Sequence, residues 1–183
     1  MKYLIIFIAV LVVIIIGTLI IGGVFFTAAV SEAEPAVPEP EMKVTTIYDV
    51  PMPEEHQQIV REYCKMFNLD ERLVYGVIFA ESNFNNGAVN EKTGCFGYMQ
   101  LNPDSYDPKL FSPPSCNLYA GISLLAELSK EFEDPVTVLL AYNNGRTGAR
   151  RLINRGVTGT AYTEKALTFA EQLTSTARLY EEV

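Results

Sequence analysis

The chain has 183 residues, of which 22 are acidic and 14 are basic, so its net charge is −8. This acidic balance argues against a general nucleic-acid-binding protein, which would present a basic face. A single histidine, His56, excludes a metal site built from several histidines, and three scattered cysteines are too few for a disulfide-rich scaffold or a zinc knuckle.

The first segment is a long apolar run, because residues 3–30 contain no charged side chain. As a helix it would extend about 42 Å, against a hydrocarbon core of roughly 30 Å, and it predicts a single-pass membrane anchor. The alternative is a signal peptide cleaved near residues 28–31. Lys2 precedes the run and acidic residues follow it, which predicts a cell-membrane protein with its remaining domain outside the cytoplasm.

The next segment, residues 31–53, holds five of the ten prolines and five acids against one base. Proline and like charge both oppose compaction, so this segment is predicted to be an extended extracytoplasmic tether. Residues 54–183 remain as the working domain, which is long enough to bury a core.

Apolar residues at helical spacing predict a mainly α domain. Two helix starts are marked in the sequence: Asp70 can act as an N-cap, and Asp134 is an N-cap followed by Pro135 at the first helical position. Residues 82–115 resemble a loop, and any sheet is expected to be small and to lie within residues 90–103. The predicted helices cover 54–68, the segment after Asp70, 117–132, 135–142, about 147–155 and 163–182, with a break at 143–145.

One carboxylate, Glu81, has an unusual position. It lies seven residues after Val74 and three after Ile78, which places it on the apolar face of the predicted helix. Partial desolvation and the negative end of the helix dipole would both raise its pKa, which suits a general acid near neutral pH. If the helix ended at Ala80, Glu81 would point into water instead, and periodicity alone leaves both readings open.

Four sequence blocks follow one another from this position. They read E-S-N-F with A-V-N at 81–90, G-Y-M-Q-L-N-P at 97–103, N-L-Y-A-G at 117–121 and L-A-Y-N-N-G at 140–145. Each block alone is a weak signal, but in this order and at these separations they resemble the catalytic domain of the soluble lytic transglycosylases. The resemblance extends over residues 70–148, with weaker support to Tyr162.

The resemblance implies a mainly helical, lysozyme-like fold with a cleft for peptidoglycan glycan strands. It implies cleavage between N-acetylmuramic acid and N-acetylglucosamine, with formation of a 1,6-anhydromuramic end and no cofactor or metal. Glu81 would be the sole acid/base, which protonates the leaving oxygen and then accepts the proton of the sugar's 6-hydroxyl. Water is not the nucleophile, so the second carboxylate of other glycosidases is not required.

The resemblance also implies roles for five other residues. Gln100 would bind a sugar N-acetyl or hydroxyl group, and Tyr142 would approach the catalytic carboxyl and hydrogen-bond to it. Asn143 would order the turn and cleft wall, and Ser82 would support Glu81. Asn90 stands where the family usually has serine and keeps hydrogen-bonding capacity. The simpler alternatives are a glutamine that ties loop backbone together and a tyrosine that only fills the core.

The chain departs from the family pattern within the glutamine block, where Tyr98 replaces the common leucine and Asn102 replaces a frequent methionine. One extra residue lies between Asn90 and Gly97. Arginines at 146, 150, 151 and 155 could meet carboxylates of the peptidoglycan peptides, or could form a solvated helix face.

An extracytoplasmic domain can hold a disulfide. The resemblance places the irregular segments of Cys95 and Cys116 around the cleft, and we predict a bridge between them. Cys64 is predicted to stay free because it lies in the first helix, where a small thiol packs well. Three reduced thiols are the alternative.

The leading functional hypothesis is therefore a membrane-anchored lytic transglycosylase that acts on glycan strands. A catalytically silent glycan-binding or scaffold module of an envelope-spanning machine is the second hypothesis, and a hydrolytic muramidase on the same fold is the third. Partners would be peptidoglycan, the membrane through the N-terminal helix, and secretion, conjugation or wall-remodelling machinery, but not nucleic acid.

Overall fold

The structure, a computed structural model, describes residues 42–173 and 175–181. It is mainly helical with one two-stranded sheet, which confirms the predicted fold class for this part of the chain. In chain order the elements are β1 (Met42–Tyr48), α1 (Glu54–Phe67), α2 (Glu71–Ser82), α3 (Pro108–Phe111), α4 (Pro114–Glu131), α5 (Pro135–Asn154), α6 (Ala161–Gln172) and β2 (Ser175–Glu181).

Both predicted helix starts are present. The Asp70 side chain accepts a hydrogen bond from the Arg72 backbone N–H at the start of α2. Asp134 accepts from the Thr137 N–H at the start of α5, with Pro135 in the first turn. Each cap satisfies a backbone donor that the first turn of a helix leaves without a partner.

Helix α2 lies at the centre of the core, where Val74, Val77 and Ile78 have no exposed surface. It packs closely against α6, because a Cβ atom on Gly76 would lie 2.3 Å from the Ala166 carbonyl oxygen. Glycine therefore lets the two helix backbones approach more closely than any other residue would. This approach brings the last turn of α2 next to the first turn of α6.

The predicted end of a helix at residues 143–145 is present as a break inside α5. Gly145 has φ 70° and ψ 161°, a conformation that no right-handed helix contains. Helical backbone resumes after it and continues to Asn154. The predicted helices 135–142 and 147–155 are thus two segments separated by a glycine kink.

The C-terminal helix is shorter than predicted. The sequence indicated a helix over residues 163–182, but α6 ends at Gln172. The Arg72 guanidinium lies at this end and donates to the Ala170 carbonyl oxygen at 2.9 Å and to that of Leu173 at 2.7 Å. A cation from a distant helix thus satisfies the terminal carbonyls of α6, which sequence periodicity does not reveal.

The chain continues from α6 into β2, which pairs antiparallel with β1 in a register that runs from Met42 opposite Glu181 to Tyr48 opposite Ser175. The sheet therefore lies outside residues 90–103, where only the isolated bridges Val89–Phe96 and Phe96–Leu101 occur among the described residues. Strand β1 belongs to the segment predicted as a tether. Segments more than 120 residues apart pair here, and a strand needs such a partner to form.

Gln57 of α1 holds the chain where it leaves β1. Its Oε1 accepts from the Tyr48 N–H at 2.9 Å, and its Nε2 donates to the carbonyl oxygens of Tyr48 and Met52. The last part of the predicted tether is thus attached to the helical domain.

The predicted anchor, residues 3–30, lies outside the described residues, and no helix within the described ranges has the length and apolar character needed to cross a membrane.

Candidate active site

Glu81 occupies the last turn of α2, which ends at Ser82. Asn83 follows in a left-handed conformation, and its N–H donates to the Phe79 carbonyl oxygen at 3.1 Å. The helix therefore continues past Ala80, and Glu81 stays on the face that carries the buried stripe. Its carboxylate is half-buried and accepts a 2.7 Å hydrogen bond at Oε1 from the Tyr162 hydroxyl.

The environment raises the pKa of Glu81 from 4.5 to about 7. Desolvation by burial is the main cause, because it penalises the charged form of the carboxyl. The Tyr162 hydrogen bond and the positive charge of Lys165 act in the opposite direction and favour the carboxylate. A carboxyl balanced in this way can both give and take a proton near neutral pH.

Lys165 lies on α6 and donates through Nζ to the Ala80 carbonyl oxygen at 3.0 Å. Its ammonium is also 4.9 Å from the centre of the Phe79 ring. Both contacts are with residues that precede Glu81 by one or two positions on α2. A cation thus stands at the C-terminal end of α2, where the helix dipole is negative.

Tyr142 interacts electrostatically with this pair, since the charge of Glu81 raises the pKa of Tyr142, and Tyr142 in turn raises the pKa of Tyr162. Burial is the main reason that the pKa of Tyr142 is well above its usual value. Its hydroxyl, however, donates to the Met99 carbonyl oxygen at 3.0 Å. The hydrogen bond to Glu81 therefore comes from Tyr162, and not from Tyr142 as the resemblance implied.

Gln100 is half-buried and has φ 47° in the loop after the Phe96 bridge. Its Nε2 donates to the carbonyl oxygens of Ala88 at 3.2 Å and Gly97 at 3.1 Å. The side chain thus ties loop backbone together, which was the simpler alternative. With both N–H groups used, Oε1 is the acceptor that it can offer to a ligand.

Asn117 of α4 fixes the same loop from beneath. It has no exposed surface, accepts from the Met99 N–H at 2.9 Å and donates to the Phe96 carbonyl oxygen at 3.1 Å. A Cβ atom on Gly97 would lie 2.2 Å from the Asn117 Nδ2, and Gly97 has φ 77°. The loop formed by the second sequence block, residues 97–103, is thus held by Asn117, the first residue of the third block.

The candidate site thus consists of the half-buried Glu81 carboxyl, Tyr142 and Tyr162, and the loop that carries Gln100. These parts come from the four sequence blocks and from the start of α6. The family model described as "Transglycosylase SLT domain" matches residues 58–161 of the chain. The chain belongs to this family. Glu81, Gln100 and Tyr142 lie within the matched residues, and Tyr162 follows directly after them.

Two known proteins are similar to this SLT domain. One is named "Transglycosylase", from Enterobacteria phage PRD1, and is 37% identical over 92 residues, which are 45% of this chain and 32% of the phage protein. The other is an inactive mutant of the lytic transglycosylase Slt from Pseudomonas aeruginosa, with a TM-score of 0.57 and 18% identity, over 64% of this chain and 24% of Slt. The Slt structure shows a shared fold, and the chain spans about a third of the phage protein and a quarter of Slt.

Of the residues predicted to bind substrate or support Glu81, two have other observed contacts in the SLT domain and a third is exposed. Ser82 donates from Oγ to the Ile78 carbonyl oxygen at 3.1 Å, within its own helix. Asn90 is exposed and closes a turn, since its Oδ1 accepts from the N–H groups of Lys92 and Thr93. Asn143 is exposed just before the Gly145 kink. Of the five residues given a role beside Glu81, Tyr142 is the one with an observed electrostatic effect from its charge.

The arginine cluster forms ion pairs within the SLT domain. Arg146 contacts Glu131 at 2.7 Å and Glu127 at 3.1 Å, and Arg150 contacts Glu131 at 2.6 Å. These pairs join α4 and α5 on an exposed face, where each contributes little to stability. This favours the solvated helix face over binding of substrate carboxylates.

All three cysteines lie within the described residues and are free thiols, so the predicted bridge between Cys95 and Cys116 is not formed. The two segments face different neighbours: Cys116 is close enough to Tyr63 of α1 to raise its pKa, whereas Cys95 does the same to Tyr142. Cys64 is buried as predicted, and burial raises the pKa of its thiol to about 12.

Tyr162 is the site residue that the sequence reasoning did not single out. It is the second residue of α6, whose start is fixed by a capping box between Thr160 and Thr163. Such a cap predicts a helix start but says nothing about which residue faces a carboxylate 81 positions earlier.

Metal ligands were not predicted, and within the described residues no group of three or more potential metal-binding side chains occurs.

Proposed function

We propose that the chain is a peptidoglycan lytic transglycosylase that forms 1,6-anhydromuramic products, with Glu81 as its sole acid/base. The observation that carries this proposal is the half-buried Glu81 carboxyl, with a pKa of about 7 and a hydrogen bond from Tyr162. Membership of the SLT family and the phage relative named transglycosylase support the reaction class.

The reaction uses one carboxyl twice. Protonated Glu81 gives its proton to the glycosidic oxygen as the bond from that oxygen to C1 of the muramic residue breaks. The resulting carboxylate then accepts the proton of the 6-hydroxyl, while the 6-oxygen bonds to C1. The leaving sugar carries the first proton, Glu81 is protonated again, and no water is consumed.

A pKa near neutrality fits both steps, because neither direction of proton transfer is then strongly uphill. Among the described residues, Lys165 is the charged side chain that shifts the pKa of Glu81, and no carboxylate does so. This supports a mechanism with a single carboxyl. Tyr162 would hold Oε1 in place, and the Gln100 Oε1 would accept from a sugar N-acetyl or hydroxyl group.

The test is digestion of purified peptidoglycan by the full chain and by Glu81→Gln, with mass spectrometry of the released fragments. The expected wild-type product is one water lighter than a hydrolysed fragment, and Glu81→Gln should lose about 10²–10⁴-fold in rate while still folding. Glu133→Gln is the matched control, because Glu133 is an exposed glutamate in a loop.

Two results would contradict the proposal in different ways. Fragments that carry the added water would identify a hydrolytic muramidase. Glycan binding without any product, by a wild-type chain that is folded, would identify a binding or scaffold module.

We also propose that residues 3–30 anchor the enzyme in the cell membrane, with the SLT domain outside the cytoplasm. An anchored lytic enzyme would serve local opening of the wall by secretion, conjugation or remodelling machinery. Protease added to cells in which the outer face of the cell membrane is accessible should remove the domain. A released protein that begins near Ser31 would show a cleaved signal peptide instead.

A further inference from the structure

The loop that carries Gln100 is held in a strained conformation. Phe96 and Leu101 exchange two backbone hydrogen bonds of 3.1 and 2.9 Å, and the residues between them form a tight turn. Gln100 has φ 47°, in the left-handed region that a residue with a side chain rarely adopts. Such a conformation persists where the surrounding structure determines it from several sides.

Three helices supply contacts that hold this turn. Asn117 of α4 binds the Phe96 carbonyl oxygen and the Met99 N–H. Tyr142 of α5 donates to the Met99 carbonyl oxygen. The third contact comes from α1, where His56 Nδ1 and the Tyr98 hydroxyl oxygen lie 2.9 Å apart in a hydrogen bond.

The third contact differs in kind from the other two, because it holds a side chain of the loop rather than its backbone. Tyr98 is 2% exposed, and its ring meets the His56 ring edge-on at 5.6 Å and 77°. A buried hydroxyl without a partner is costly, so the hydrogen bond with His56 stabilises the ring in this buried position.

This contact joins a residue that departs from the family pattern to one that lies outside the matched residues. The lytic transglycosylase pattern commonly has leucine at the position of Tyr98, and leucine cannot form the bond. His56 precedes residues 58–161, the part that the family model matches. The other two contacts come from Asn117 and Tyr142, which belong to the shared sequence blocks.

We propose that the Tyr98–His56 hydrogen bond fixes the loop of residues 96–101 against α1 and thereby positions Gln100 for glycan binding. The inference rests on the proposed function of the site. Tyr98 is then a positioning residue that acts through Gln100. Glu81 is held separately by Tyr162 of α6, so loss of the bond should affect glycan binding and leave proton transfer intact.

The kinetic test uses soluble, uncrosslinked glycan strands and the full chain. Tyr98→Phe keeps the buried ring and removes only the hydroxyl, and we expect KM to rise about fivefold with kcat within about twofold. His56→Leu should behave in the same way. His56→Asn keeps a hydrogen-bonding group near the position of Nδ1 and should restore KM.

A double substitution tests whether the effect of Tyr98→Phe on KM depends on Gln100. In the presence of Gln100→Ala, Tyr98→Phe should raise KM no further, because the residue that it positions is gone. Multiplied effects of the two substitutions would overturn the proposal. A fall in kcat with unchanged KM would overturn it as well.

Hydrogen exchange separates this inference from the proposed function. The Met99 N–H donates to Asn117 Oδ1 and the Leu101 N–H donates to the Phe96 carbonyl oxygen, and both amides should exchange faster in Tyr98→Phe than in the wild type. This measurement does not need a glycan. Unchanged exchange would refute the positioning contact, whereas a wild-type chain that cleaves no glycan would refute only the enzyme assignment.

Discussion

Replacing Glu81 with glutamine should change how the stability of the domain depends on pH. The pKa of Glu81 is about 7 in the folded chain, against 4.5 for an exposed glutamate. Between these values the folded chain holds a proton that the unfolded chain has released, so stability falls as pH rises through this window. Below pH 4.5 both states are protonated and nothing is lost, and above pH 7 the loss is complete.

The size of the effect follows from the shift. Each pH unit between the two pKa values corresponds to about 1.4 kcal/mol, so the full loss is about 3 kcal/mol above pH 7. Glutamine has nearly the same shape, keeps an oxygen that can accept from Tyr162 and carries no charge to desolvate. Glu81→Gln should therefore match the wild type at pH 4 and be more stable by about 3 kcal/mol at pH 8.

Urea unfolding followed by circular dichroism at several pH values measures this difference. With an m value of about 2 kcal/mol/M, the unfolding midpoint of the variant should exceed that of the wild type by about 1.5 M at pH 8. The exposed Glu133→Gln variant controls for the loss of one negative charge. A stability difference between Glu81→Gln and the wild type that is the same at pH 4 and pH 8 would refute the raised pKa of Glu81.

Three further outcomes are expected. Tyr162→Phe removes a hydrogen bond that favours ionised Glu81, so the alkaline limb of the kcat/KM profile should move to higher pH; a shift to lower pH would contradict this assignment. Gly97→Ala forces a Cβ against Asn117 at φ 77° and should cost about 2–4 kcal/mol in thermal unfolding, and wild-type stability would show that the loop relaxes freely. Asp134→Ala should cost about 1 kcal/mol through loss of the helix cap, with KM unchanged.

Local features of this protein can be read from its sequence because they depend on neighbours within a few residues. The caps at Asp70 and Asp134 and the break at Gly145 follow from spacing and from the chemistry of single residues, whereas spacing leaves open whether α2 reaches Glu81. The four sequence blocks add the family, because their order and separation are specific even though each block is short.

Only the tertiary structure decided which groups meet across the chain. Tyr162 lies 81 residues after Glu81, and it reaches Oε1 because Gly76 lets α2 and α6 pack closely. Tyr142 likewise depends on packing, because it donates to the carbonyl oxygen of Met99, which lies 43 residues earlier in the chain. No spacing rule distinguishes these two tyrosines, because their roles depend on the distance between helices.

The same distinction explains where the sequence-based expectations were wrong. The segment after Gln172 has no strand signal strong enough to oppose a helical pattern, and it becomes β2 because β1 lies beside it with an open edge. Cys95 and Cys116 were paired by their places in irregular segments, yet each lies beside a different tyrosine. The sequence thus determined most of the helices and identified Glu81 as the candidate acid. Long-range packing determined the end of α6 and the partners of the site residues, because these depend on distances between segments that are far apart in the chain.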